Sequence, residues 1–266
     1  MIGAGDLFSM QGKTVLITGA TGHLGSSMAY ALAEVGAHIL VNSRNRVHAE
    51  NFVNTMKRHH YSAEPLVFDV TQESDIKESL KAIAEKPLHV LINNAYAGDS
   101  GTILTAESNQ YRNSFEVVLV GAQNLLKETL GGLRRGVEQS GDACVINVAS
   151  MYGFVSPDIE MYNSYEQANP PFYGAAKAAL IQWTRYAACE LGPQGIRVNC
   201  ISPGAFPSGQ VKQSEPSFVS RLAKRVPLGR VGTSNEIRGP ILFLASPAAS
   251  YVNGANLVVD GGWTAW

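Results

Sequence analysis

The feature that most constrains this chain is an alternation. From Lys13 onward, short runs of β-branched and aliphatic residues take turns with stretches of helical periodicity. KTVLIT, HILV, PLVFDV, LHVLIN, DACVINVA, GIRVNCIS and NLVVDGG are candidate strands, and helical patterns separate most of them, over residues 23–35, 45–60, 72–85, 109–135, 172–191 and 235–244. That order predicts repeated βαβ units. The strands are nearly unbroken apolar runs, so both sheet faces need a cover of helices. An α/β fold of the Rossmann type is expected, a doubly wound seven-stranded parallel sheet whose ligand crevice lies at the carboxyl ends of the strands.

No linker, repeat or low-complexity stretch divides the 266 residues, and 45% apolar content can fill one large core, so one domain over residues 1–266 is expected. Two connections are longer than the pattern requires, residues 153–171 and 204–227. Long loops at the functional edge are usually binding elements, so both are expected on the substrate side. The 21 basic and 22 acidic residues leave a formal charge of −1, which argues against a nucleic-acid partner. No basic, apolar leader and no long apolar run is present, so no membrane partner and a cytoplasmic location are expected. Cys144, Cys189 and Cys200 lack metal or redox spacing and sit in apolar segments, and read as reduced, buried thiols. His59 and His60 lie in a polar helical run and read as solvent-facing, so no metal is expected.

The first strand runs into TGATGHLG, residues 18–25. Gly19, Gly22 and Gly25 allow a sharp turn, close approach of a pyrophosphate and tight helix packing. Thr21, Gly22, His23 and Leu24 then carry the anion-facing start of the helix. The same glycines could serve packing alone. At the end of the second strand, ILVNSRNR offers no acid to bind a ribose hydroxyl pair, while Ser43, Arg44 and Arg46 suit a 2′-phosphate. NADP(H) is therefore the expected cofactor, with NAD(H) the alternative. Asp69, Val70, Asn94 and Ala95 end the third and fourth strands beside the same crevice. Tyr173 and Lys177 share a helix face, and an ammonium beside a phenol is expected to lower its pKa. Ser150 stands just past the preceding strand.

Together these residues resemble the short-chain dehydrogenase/reductase family, in its short single-domain form, over nearly the whole chain. The resemblance rests on TGATGHLG, Asp69 with Val70, Asn93 to Ala95, SMYG from Ser150, YGAAK from Tyr173, IRVN from Ile196, SPG from Ser202, PLGRVG from Pro227 and VDGG from Val259. It implies that Tyr173 is the general acid/base, that Lys177 lowers its pKa and holds the nicotinamide ribose, and that Ser150 binds the substrate oxygen. Pro203 and Gly204 join the cofactor site, and a homotetramer or homodimer is implied.

Four departures stand out. The turn reads TGxxGxxG, as in a longer sugar-nucleotide branch of the family. Tyr96 replaces the glycine of the family's NNAG, and either borders the substrate pocket or packs. Val118 falls where the family's active-site Asn is usual, unless the register slips toward Asn113 or Asn124. Lastly, the 153–171 segment is longer than usual, and Asp158, Glu160, Tyr162, Tyr165 and Glu166 could reach the entrance or serve an oligomer contact. Tyr96, Met151, Tyr162 and Phe206 are the candidate substrate contacts. The expected activity is NADP(H)-dependent interconversion of a secondary alcohol and a carbonyl, on a polyhydroxylated or sugar-like substrate. The alternatives are an epimerase or dehydratase with retained cofactor, and a non-catalytic dinucleotide-binding regulator.

Overall fold

A computed structural model of the chain describes residues 3, 5–98 and 100–266. The strands are β1 (Thr14–Ile17), β2 (His38–Ser43), β3 (Ala63–Val67), β4 (Val90–Asn93), β5 (Ala143–Val148), β6 (Ile196–Pro203) and β7 (Asn256–Val259). They form one parallel sheet in the order β3-β2-β1-β4-β5-β6-β7. The helices are α1 (His23–Glu34), α2 (Arg46–Arg58), α3 (Glu73–Leu80), α4 (Ser108–Phe115), α5 (Gly121–Ser140), α6 (Pro171–Leu191), α7 (Gly209–Ser214), α8 (Pro216–Arg225) and α9 (Arg238–Ala245).

Side chains of a strand alternate between faces, and the two cores follow that alternation. Val15, Ile17, Ile39, Val41 and Ile146 pack against α1, α2 and α9 through Met28, Leu32, Met56, Ile241 and Leu244. Leu16, Leu40, Leu91, Val145 and Val198 pack on the other side against α3, α5 and α6 through Ile76, Leu80, Leu125, Leu133 and Leu191. Connections leave β1 and β4 toward opposite edges of the sheet, so a crevice opens between their carboxyl ends. Buried Arg197 ties β6 to the start of β5, with two 2.9 Å bonds to Asp142, and to α9 with a 3.0 Å bond to the Leu244 carbonyl.

Several boundaries differ from the sequence reading. The third strand begins at Ala63 rather than Pro65 and ends before Phe68, because Ala63 already pairs with Ile39 across the β2 ladder. The expected 109–135 helix is interrupted by a five-residue π segment, Glu116–Val120, and α5 then continues to Ser140, where Gly141 caps it in the left-handed region. Residues 204–227 hold two helices, α7 and α8, where one short helix was expected. Cys144 and Cys200 are buried as expected, but Cys189 is exposed, since it faces outward on α6 while neighbouring Ala188 faces the core. Among the described residues no helix is long and apolar enough to cross a membrane.

Candidate active site

The crevice is a cleft of about 790 Å³ whose lining runs from Arg44 at one end to Tyr173 and Lys177 at the other. Gly19, Thr21, Gly22, His23 and Leu24 line it, as do Ser43, Asp69, Val70, Asn94, Ala95, Tyr96, Ser150, Pro203, Gly204 and Phe206. The sequence reading did not single out Asn42, Asn45, His48, Ala97, Val117, Val148 or Ala149, which line it too.

The glycine turn is held by side-chain bonds rather than by its own residues alone. Buried Thr18 accepts from the backbone N–H groups of Asn94 (2.9 Å) and Ala95 (3.0 Å), locking β4's end to β1's. Asn94 returns its amide to the Thr18 and Gly19 carbonyls. Gly19 sits at φ +61, and a Cβ on Gly25 would press into the Gly19 carbonyl oxygen, so α1 starts closer to the turn than any side chain permits. A dinucleotide's pyrophosphate fits such a cradle, with the N-terminal turn of α1 facing it.

Asn42 fixes the neighbouring wall. Its amide donates to the Leu66 and Phe68 carbonyls, both at 3.1 Å, and its oxygen accepts from the Gly19 N–H. A polar residue closing an apolar strand was the available signal for it. Beyond it, Arg44 is 66% exposed and lies 3.6 Å from Asp69. Burial pushes the Asp69 carboxyl up, but the Thr71 N–H and hydroxyl and the Arg44 guanidinium outweigh it and hold the pKa below the ordinary value. Arg46 is turned away from the cleft toward Glu50, one helical turn along α2.

At the opposite end, Ser150 follows β5 in extended conformation, and its hydroxyl accepts from the Tyr152 N–H. Tyr173 and Lys177 project from the first turns of α6, and Tyr173 shares a hydrogen bond with Ser150. Burial raises the Tyr173 pKa, and the Ser150 bond only partly opposes this, so the expected lowering by Lys177 is absent. The reason is orientation. The buried Lys177 Nζ donates to the Val148 carbonyl at 2.6 Å and lies over the Tyr173 ring, 5.7 Å from its centroid, rather than against the phenol oxygen. Burial also lowers the Lys177 pKa to about 8.

Tyr96 borders the cleft and also packs, edge-to-face on Tyr173 with centroids 4.8 Å apart. Val118 is buried and lines a small cavity together with Lys177, whereas Asn113 and Asn124 do not line it, which fixes the helix register. His23 meets the Phe206 backbone across the cleft mouth, and desolvation lowers its pKa.

Two candidate substrate residues lie elsewhere. Met151 and Tyr162 are not in the cleft lining but pack with Met161, Leu222, Phe218 and Trp263 in a separate apolar cluster. The long segment turns its polar groups to α8: Arg221 donates to the Met161 carbonyl and the Asn163 side chain, both at 2.7 Å, and Asp158 lies 3.8 Å from Arg225. Glu160, Tyr165 and Glu166 are exposed and do not line the cleft.

The family model described as enoyl-(acyl carrier protein) reductase matches residues 19–264. A 3-oxoacyl-acyl-carrier-protein reductase of Pseudomonas aeruginosa is 30% identical over 96% of this chain and 98% of its own length. A 2-dehydro-3-deoxy-D-gluconate 5-dehydrogenase of Dickeya dadantii is 31% identical, covering 98% of each chain. Among solved structures, a gluconate 5-dehydrogenase of Burkholderia cenocepacia in complex with NADP and tartrate superposes with a TM-score of 0.87 at 28% identity, over 99% of this chain and 100% of that one. The chain belongs to the short-chain dehydrogenase/reductase family. It is an enzyme, an oxidoreductase of secondary alcohols and carbonyls.

Proposed function

We propose that this enzyme uses NADP(H) to interconvert a secondary alcohol and a ketone on a small polyhydroxylated substrate of the sugar-acid kind. The observation that carries the reading is that one cleft joins Arg44 at one end to Ser150, Tyr173 and Lys177 at the other. Arg44 would hold the 2′-phosphate, the Gly19 to Gly25 turn would hold the pyrophosphate, and Asp69, Val70, Asn94, Ala95, Pro203 and Gly204, which line the same cleft, would hold the remainder of the dinucleotide. The NADP named for the Burkholderia relative supports the choice of cofactor.

When bound, the nicotinamide supplies or accepts the hydride. In the reductive direction Ser150 donates a hydrogen bond to the substrate carbonyl and Tyr173 delivers the phenolic proton to that oxygen. Lys177, as an ammonium, stabilises the phenolate left behind. The raised Tyr173 pKa keeps the phenol protonated at neutral pH, which suits reduction. The names of the Dickeya and Burkholderia relatives support a sugar-acid substrate; that of the Pseudomonas relative supports an acyl thioester instead.

The test is turnover of NADPH with a panel of keto-sugar acids beside a 3-oxoacyl thioester, for wild type and Tyr173→Phe. Sugar-acid turnover that falls by about 10² to 10⁴ in the variant is expected. Undiminished turnover in Tyr173→Phe refutes the catalytic assignment, preference for the thioester refutes the substrate class, and product epimerisation without net redox points to the retained-cofactor alternative. Residues 1–266 are read as one dinucleotide-binding domain working in the cytoplasm. Exposed Val120, Tyr186 and Tyr251 suit a homotetramer or homodimer, checked by solution mass.

A further inference from the structure

Lys177 Nζ lies against a pair of touching aromatic rings, at the third corner of a triangle with their centroids. It lies 5.6 Å from the centroid of Tyr96 and 5.7 Å from that of Tyr173, and the rings meet at 70°. Asp69 is the carboxylate that shares its cleft among the described lining residues, and it is turned to Thr71 and Arg44 rather than to Lys177. From its own helix it meets Tyr173, from the segment after β4 it meets Tyr96, and from the end of β5 come the Val148 carbonyl and the uncharged Ser150. The π segment between α4 and α5 brings only Val117 and Val118. Thr18 and Asn93 are turned to the Ile92 carbonyl and the Asn147 side chain. A desolvated ammonium without a counter-charge is costly, and the negative face of an aromatic ring is what remains to offset that cost.

We propose that Tyr96 is a positioning residue of the reaction: its ring face stabilises the Lys177 ammonium, and its contact with Tyr173 holds the phenol and the ammonium in register. This rests on Tyr173 being the proton donor. Lys177 is already drawn down to about 8 by burial, so modest changes in the aromatic slot alter its charge near neutral pH. Tyr96 is 39% exposed, so its ring can be replaced at little cost to the core.

The experiment is a pH titration of the cofactor-free protein, labelled with ¹³C at lysine Cε and followed by NMR, with the Lys177 signal assigned by its loss in Lys177→Met. Tyr96→Phe should titrate as wild type. Tyr96→Leu should titrate lower by about one pH unit. A trifluorinated phenylalanine at position 96, which keeps the ring's shape while emptying its face, should shift the same way, and the alkaline limb of kcat should follow in both. Unchanged Lys177 titration in the Leu and fluorinated proteins overturns the proposal. Retained turnover in Tyr173→Phe would instead overturn the proton-donor reading, leaving the effect of Tyr96 on Lys177 measurable in its own right.

Discussion

Arg44→Ala isolates the group on which cofactor choice depends. At ~4 Å, a guanidinium and one phosphate charge interact by ~1 kcal/mol in water and ~4 kcal/mol at an effective dielectric of about 20. Two-thirds exposure of the side chain places Arg44 toward the lower value. The second phosphate charge adds to it, and loosening the 3.6 Å contact with Asp69 subtracts. A net ~1.5–2 kcal/mol corresponds to a roughly ten- to thirty-fold rise in the Kd for NADPH. Fluorescence titration of both proteins with NADPH and NADH, at low and high salt, measures it directly. NADH affinity should change less than about twofold, and added salt should narrow the wild-type preference for NADPH, since exposed charges are screened. An equal loss for both dinucleotides, or a wild-type preference for NADH, would refute the reasoning.

Gly25→Ala forces a methyl against the Gly19 carbonyl and to 2.9 Å from the Asn94 amide, so calorimetry should show ~1–3 kcal/mol less stability and a dinucleotide affinity reduced at least tenfold. Asp142→Ala strands the Arg197 guanidinium, only 7% exposed, and urea unfolding should register a loss of ~3 kcal/mol, partly recovered by adding Arg197→Met. His89 accepts from the Thr14 N–H, and burial, with Lys13 nearby, lowers its pKa from 6.5 to about 4. The folded state thus resists a proton that the unfolded chain takes up below 6.5; stability present above that pH falls by ~3 kcal/mol as pH drops to about 4. The slope should flatten in His89→Gln, and an unchanged slope would assign the acid sensitivity to other groups.

The sheet was legible because a parallel strand buried on both faces leaves an apolar run, as β1, β2, β4, β5 and β6 do, and because helical patterns separate most of the strands. The edge strands β3 and β7 are only partly buried, and the bounds of β3 were the ones misplaced. The cofactor half of the cleft was legible for a related reason: backbone geometry there demands glycine, and a turn short of side chains is conspicuous in sequence. The substrate half was not. Whether Met151 and Tyr162 face the cleft depends on how residues 153–171 fold against α8, and that is decided by Arg221 and Phe218, some sixty residues away. Arg46 was misleading for a local reason, since Glu50 stands one helical turn along and draws it away. The Tyr173 pKa depends on where Lys177 points, which spacing alone does not specify.

The π segment between α4 and α5 sets the phase of one helix against the other. On the α4 side, Ser114 is pinned by its bond to the Phe172 carbonyl at the start of α6. On the α5 side, Gly121 lies so near the Val70 carbonyl that a Cβ there would approach within 2.9 Å. A π turn holds one residue more than an α turn, so Glu116–Val120 absorbs one residue within a single turn while the faces on either side keep nearly the same phase. The widened turn is what places Val118 beside Lys177 between the two anchors. A single deletion that returned the segment to an α turn should therefore leave Ser114 and Gly121 nearly in place, whereas the same deletion in the unbroken part of α5 would turn its remainder by about 100°.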